Sequence, residues 1–183
     1  MIGIEPSAIL TFRDEYPDLA TDNNFEAAQQ LSKNVFFIDE FIAREIDRGN
    51  ISSDSFTKLE RTIMLHGHCQ QKAVGSLSDS IKVLSLPQHY SVSNIPSGCC
   101  GMAGSFGYEK EHYDVSMKIG ELVLFPAVRK HHSNCTIAAP GTSCRMEHLS
   151  EPFIQLKFCM RRWFNLIIFY SNPLLCSKNL SAV

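Results

Sequence analysis

RTIMLHGHCQQKAVGSLSDSIKVL, residues 61–84, is the stretch from which the fold can be read. Its first five residues form an apolar, partly β-branched run too short for a helix and predict a buried strand. His66, Gly67, His68 and Cys69 make the turn that follows, and Ala73, Val74, Leu77, Ile81 and Leu84 then recur on one helical face. The same order repeats downstream. Residues 90–95 predict a second strand running into Pro96, Ser97, Gly98, Cys99, Cys100 and Gly101. A helix from about residue 109 carries Tyr113, Met117, Gly120 and Leu124 in register, with an interruption or restart at Pro126. Residues 135–139 predict a third strand, leading to Pro140, Gly141, Thr142, Ser143 and Cys144.

Alternating strands and helices predict an α/β fold with a small parallel sheet and right-handed crossover helices. Loops that leave parallel strands emerge at one edge of the sheet, where ligands bind. Cys69, Cys99, Cys100 and Cys144 are therefore expected to converge at the C-terminal ends of the strands. Upstream, residues 1–4 predict a short strand and Glu5, Pro6 and Ser7 a turn, followed by a charged segment closed by Pro17. A helix is expected from residue 34, with Val35, Ile38, Phe41, Ile42 and Ile46 on its apolar side and a stop at Gly49 and Asn50. Residues 50–58 are polar and read as a loop.

Of the 183 residues, 44% are apolar and 20% charged, which is the composition of a folded globular chain. The net charge of −2 comes from interleaved acids and bases without a basic stripe, so nucleic acid is not expected as a partner. The longest apolar stretch, residues 163–170, falls well short of the roughly 20 residues that cross a bilayer, and no transmembrane segment is predicted. The amino end lacks the basic and apolar blocks of a signal peptide, which points to a reducing, cytoplasmic compartment. Seven cysteines, an odd number, stay as thiols there, and metal or redox chemistry outweighs a disulfide framework. Cys135, Cys159 and Cys176 read as small apolar core residues.

The other four cysteines match the thiolate count of a [4Fe-4S] cluster. Adjacent Cys99 and Cys100 reach one tetrahedral ion together only with difficulty, whereas a cluster of several irons accepts both. No Cys-x₂₋₄-Cys pair of the usual zinc spacing is present. Glycines at 98, 101, 104 and 107 permit tight turns, and helix starts after Cys69 and after the glycine-rich loop favour thiolate over thiol. Alternatives stay open: a structural zinc site, a thiol or disulfide redox site, a Cys69 nucleophile beside His68, and a phosphate loop, although the last lacks a Lys-Ser/Thr finish. His66 and His68 read as hydrogen-bond donors to sulfur or as ligands, and the expected ligand set is the four cysteines alone.

HGHC at 66–69, SGCCGMAGSFGYEKEHYDVSMKIGELVLFPAVR at 97–129 and APGTSC at 139–144 resemble the cysteine-rich CCG domain. The resemblance is greatest to the version at the carboxyl end of FAD-linked oxidases of D-2-hydroxy acids such as D-lactate. Related domains occur in iron–sulfur subunits of glycolate oxidase and anaerobic glycerol-3-phosphate dehydrogenase, and in heterodisulfide reductase. The resemblance implies that Cys69, Cys99, Cys100 and Cys144 bind a [4Fe-4S] cluster that passes electrons from flavin to an acceptor. A family pattern often ends in Cys-x-x-Cys, and Gly141 stands at the first of those positions. It further implies residues 1–58 as the end of a preceding repeat plus a helical linker, 59–146 as the CCG domain, and 147–183 as a tail outside the family. Ala8 stands where that first repeat would carry a cysteine. FAD and a ferredoxin-like segment are expected on other portions of the full-length enzyme or on separate subunits, so this fragment alone is not expected to be catalytic. Membrane association is expected only at the periphery of the inner membrane, through partners.

Overall fold

The computed structural model describes residues 1–130 and 135–147. Three parallel strands organise its larger part: β3 (Arg61–Leu65) lies between β4 (Tyr90–Asn94) and β5 (Cys135–Ala138). Arg61 pairs with Tyr90 and Leu65 with Asn94 on one side, and Thr62 pairs with Cys135 and Leu65 with Ala138 on the other. Successive side chains of a strand point to opposite faces, and here both faces are covered. Ile63 and Leu65 pack towards Ile81 and Leu84 of α6 (Leu77–Leu84). Met64 and Ile137 pack towards Leu124, Phe125 and Val128 of α8 (Leu124–Arg129). Burial on both faces explains why the second half of β3, Ile63 to Leu65, is continuously apolar rather than alternating. Each of Ile63 and Leu65, fully buried, contributes about 1.5–3 kcal/mol.

The amino-terminal part is a smaller unit of the same kind. Here β1 (Ile2–Gly3) pairs in parallel with β2 (Phe36–Phe37), and α1 (Pro6–Thr11), α2 (Glu15–Leu19) and α3 (Phe25–Lys33) connect them. Its core is Ile9, Leu10, Val35 and Phe37, against which Val74 of α5 (Cys69–Val74) also packs. The helix expected from residue 34 begins only at α4 (Ile38–Asp47), because Phe36 and Phe37 are drawn into the sheet. Glu40 marks that start by accepting the Phe37 N–H at 3.0 Å. The same carboxylate takes both terminal nitrogens of Arg13, at 2.8 and 2.6 Å. Arg13 also donates to the carbonyls of Val35 and Val74, so one guanidinium, just beyond α1, joins the residue before β2 to α4 and α5. Hydrogen bonds to charged groups contribute on the order of 1.5–3 kcal/mol.

Two further departures concern helix continuity. The predicted helix after Cys69 divides at Gly75 and Ser76, and the Ser76 side chain caps α6 by accepting the Ser78 N–H at 3.0 Å. The later helix divides into α7 (Tyr113–Leu122) and α8 at Val123, three residues before Pro126. Pro126 then sits in the first turn of α8, where its missing N–H costs nothing. Residues 50–58 remain a loop apart from one 3₁₀ turn at Ser53–Ser55. Among the described residues no helix is long and apolar enough to cross a membrane. Cys159, Cys176 and the apolar run at 163–170 lie outside the described residues.

Asp39 of α4 accepts a hydrogen bond from Ser80 of α6, and Ser80 in turn accepts from Gln71 at 2.7 Å. Burial pushes the Asp39 carboxyl up to about 6, against the opposing pull of Ser80. A carboxyl raised in the folded state favours folding while protonated. Its stabilisation is complete below the unfolded value of about 4 and is lost as the pH rises through about 6. Urea unfolding followed from pH 4 to 8 is expected to lose about 2–3 kcal/mol through this group. Asp39→Asn should flatten the profile, and an unchanged slope in that variant would exclude Asp39 as its source.

Candidate metal centre

The four cysteines expected to converge do so, brought by three backbone devices. Cys69 is the first residue of α5, immediately after the turn that leaves β3. His68 caps that helix, its Nδ1 accepting the Gln70 N–H at 3.2 Å. Cys99 and Cys100 follow β4 in a loop held by Lys72 of α5, whose ammonium donates to the carbonyls of Ser97, at 2.7 Å, and Gly98. Gly101 turns the loop with φ +107°, and a Cβ there would stand 2.3 Å from the carbonyl oxygen of Ser116 on α7. Only glycine satisfies both the dihedral and the contact. The turn points the Gly101 N–H back at Cys99 Sγ, 3.3 Å away.

Cys144 is the third residue of α9 (Thr142–Glu147). The start of α9 is secured from the far end of the chain: the Glu5 carboxylate accepts from the Thr142 N–H at 2.8 Å and from its hydroxyl at 2.7 Å. Gly141 packs so closely on His68 that a Cβ would stand 2.2 Å from the ring Cδ2. The imidazole thus occupies the space that a side chain at 141 would need.

The sulfurs form a hydrogen-bonded row in the order Cys69, Cys99, Cys100, Cys144, with His66 beside the last. Protons alternate along it. Hydrogen bonding to Cys99 raises Cys69, and hydrogen bonding to Cys144 and then Cys99 raises Cys100. Cys99 is strongly lowered by the hydrogen bonds from Cys100 and Cys69, with help from the Gly101 N–H. Cys144 is lowered to about 5, chiefly by Cys100 and secondarily by His66, against its own burial. The helix start at Cys69 was expected to favour a thiolate, and the row reverses this: Cys69 is the donor and Cys99 the acceptor. A neighbouring charge in contact outweighs the partial charge of a helix end.

At the inner end, a ring nitrogen of His66 and the sulfurs of Cys100 and Cys144 all lie within 4.8 Å of one another, and all three residues are buried. At the outer end Cys69 is exposed and Cys99 half-buried. No disulfide joins the five described cysteines. Cys135 is half-buried, packs against the core beside Met64 and Ile137, and takes no part in the row. Soft sulfur donors, one imidazole and backbone N–H groups aimed at sulfur make a donor set that fits zinc or an iron–sulfur cluster. Spacing flagged the cysteines and histidines. It gave no hint of Lys72, Ser97 or Glu5, whose roles depend on contacts across the fold.

A row of thiols at the carboxyl edge of a parallel α/β sheet is a site that can hold a metal or carry redox chemistry, and the known proteins similar to this chain are dehydrogenases. The chain is 26% identical over 148 residues to D-2-hydroxyglutarate dehydrogenase of Escherichia coli K12, covering 80% of this chain and 14% of that protein. It is 27% identical over 157 residues to one of the subunits of anaerobic glycerol-3-phosphate dehydrogenase in the same organism, over 81% of this chain and 38% of the relative. D-2-hydroxyglutarate dehydrogenase of Haemophilus influenzae is 23% identical over 164 residues, 86% of this chain and 15% of that protein. The chain is therefore related to oxidoreductases and spans a minor part of the length of each. No family profile and no solved structure matches it.

The alternation of protons sets an order of reactivity, since thiolate and access together govern alkylation. In the reduced, metal-free chain at pH 7, iodoacetamide should modify Cys99 first and Cys69 next, while Cys100 and Cys144 stay protected. Peptide mass spectrometry over a time course measures this, and modification of Cys100 ahead of Cys99 would contradict the row.

Proposed function

We propose that this chain is the iron–sulfur electron-transfer part of a larger oxidoreductase of the FAD-linked 2-hydroxy acid dehydrogenase type. Cys69, Cys99, Cys100 and Cys144 hold the cluster, a [4Fe-4S] unit. The observation that carries the reading is the single row of four sulfurs drawn from three strand ends, with adjacent Cys99 and Cys100 both in it. A multi-iron cluster accepts neighbouring thiolates that one small ion accommodates poorly.

When bound, such a cluster takes up and releases single electrons. The protein's own part is to supply thiolates, exclude water and set the surrounding charge. Cys100, Cys144 and His66 close the inner side, and exposed Cys69 leaves the outer side accessible to a donor or acceptor. Lys72 and the Gly101 N–H place positive partial charge beside the Cys99 loop, which favours a charged sulfur site. Flavin and the hydroxy acid belong to other portions of the enzyme or to separate subunits in the cytoplasm. We assign residues 59–146 to the cysteine-rich domain, 1–58 to the end of a preceding repeat plus a helical linker, and 147–183 to a tail outside the family. In support, α1 and α9 are six-residue helices that follow short parallel strands, with Ala8 and Cys144 each third in its helix.

The close approach of His66, Cys100 and Cys144 favours one competing reading, a mononuclear zinc site. Anaerobic reconstitution of the full chain with iron and sulfide, followed by metal and acid-labile sulfide analysis, separates the two. Iron and sulfide are expected in equal amounts, reduced at least several-fold in Cys100→Ser and Cys144→Ala. Full loading in both variants, or retention of zinc alone by the wild type, would overturn the cluster assignment.

A further inference from the structure

His66 is the first residue beyond β3, and its N–H donates to the Ala138 carbonyl at 2.8 Å, which anchors it between the central strand and β5. The side chain is fully buried, and its Nδ1 lies 2.7 Å from the Ser97 hydroxyl. Ser97 is itself buried, with its carbonyl held by Lys72. In the metal-free chain His66 donates to the Cys144 sulfur; once metal displaces that proton and Nδ1 donates to Ser97, the ring's lone pair resides on Nε2, the form in which histidine ligates metal. A hydrogen bond from the other nitrogen is the usual means of orienting such a ligand.

His68 is differently placed. Its Nδ1 accepts the Gln70 N–H, so in the neutral ring the proton sits on Nε2 and no lone pair remains for a metal. Its ring also fills the space beside Gly141. A thiol from position 141 is thereby excluded, and the nitrogen grouped with Cys100 and Cys144 belongs to His66.

Resting on the cluster assignment above, we propose that His66 is a fifth protein ligand of the centre, through Nε2, with Ser97 as its positioning residue. The centre is then of mixed sulfur and nitrogen ligation, its nitrogen at the buried end. A neutral imidazole at this position adds no negative charge to the iron, whereas a thiolate there would, so the potential is higher with histidine than with cysteine at 66.

The test is pulsed electron paramagnetic resonance of the reduced, reconstituted full chain, labelled with ¹⁵N only in histidine. A strong histidine-nitrogen coupling is expected in wild type and in His68→Asn, which keeps an acceptor at the α5 cap. The coupling should vanish in His66→Cys, whose thiolate can still hold iron, and the potential should fall in that variant. Ser97→Ala, which creates no large cavity, should keep the coupling and shift the potential. A wild-type chain fully loaded with iron and sulfide but lacking the coupling, or a coupling that survives His66→Cys, overturns the ligand assignment alone. A wild-type chain that takes up no iron and sulfide overturns the cluster reading, and this inference falls with it.

Discussion

Four thiols in mutual contact cannot all ionise, because each added negative charge raises the cost of the next. The carboxyl edge of the sheet is organised around this repulsion. Hydrogen bonding within the row holds Cys69 and Cys100 towards the thiol and Cys99 and Cys144 towards the thiolate, which limits the charge of the metal-free site. The surroundings supply the remaining compensation. Lys72 holds the loop before Cys99, the Gly101 N–H faces its sulfur, and His66 lies beside Cys144. A metal that displaces the thiol protons then removes the source of repulsion, which couples loading to proton release.

Holding these groups at such distances requires backbone positions that do not relax, and much of that rigidity comes from the amino-terminal unit. Arg13, just beyond α1, ties the approach to β2, α4 and α5 together through Glu40 and two carbonyls. Glu5 secures the start of α9 and with it Cys144. The amino-terminal unit thus serves the site of its neighbour as scaffold. Its contribution is made by polar contacts between residues far apart in sequence, up to 137 positions for Glu5 and Thr142, which no local pattern reveals.

The sheet was legible because burial on both faces leaves Ile63, Met64 and Leu65 apolar in succession, and the strand-helix alternation dictates parallel pairing. Convergence of Cys69, Cys99, Cys100 and Cys144 followed from that topology. Helix boundaries were less legible. Val35 to Phe37 continue the helical periodicity of α4, yet pairing with β1 takes Phe36 and Phe37 into a strand. Pro126 marked a break that the chain makes at Val123, because proline is comfortable in a first turn. At the centre, spacing named the sulfurs but not which would keep protons. That depends on contact between side chains, as does the difference between His66 and His68.

The contact between Gly141 and His68 also constrains the order in which this site can change. A cysteine introduced at 141 collides with the imidazole, so it is tolerated only where residue 68 has first become small or its ring has been displaced. Loss of His68 alone leaves a gap and an uncapped α5, a milder defect. The two positions are therefore epistatic. The path between a histidine-filled and a thiol-filled corner runs through a small residue at 68, and the reverse path requires glycine at 141 before an imidazole can return.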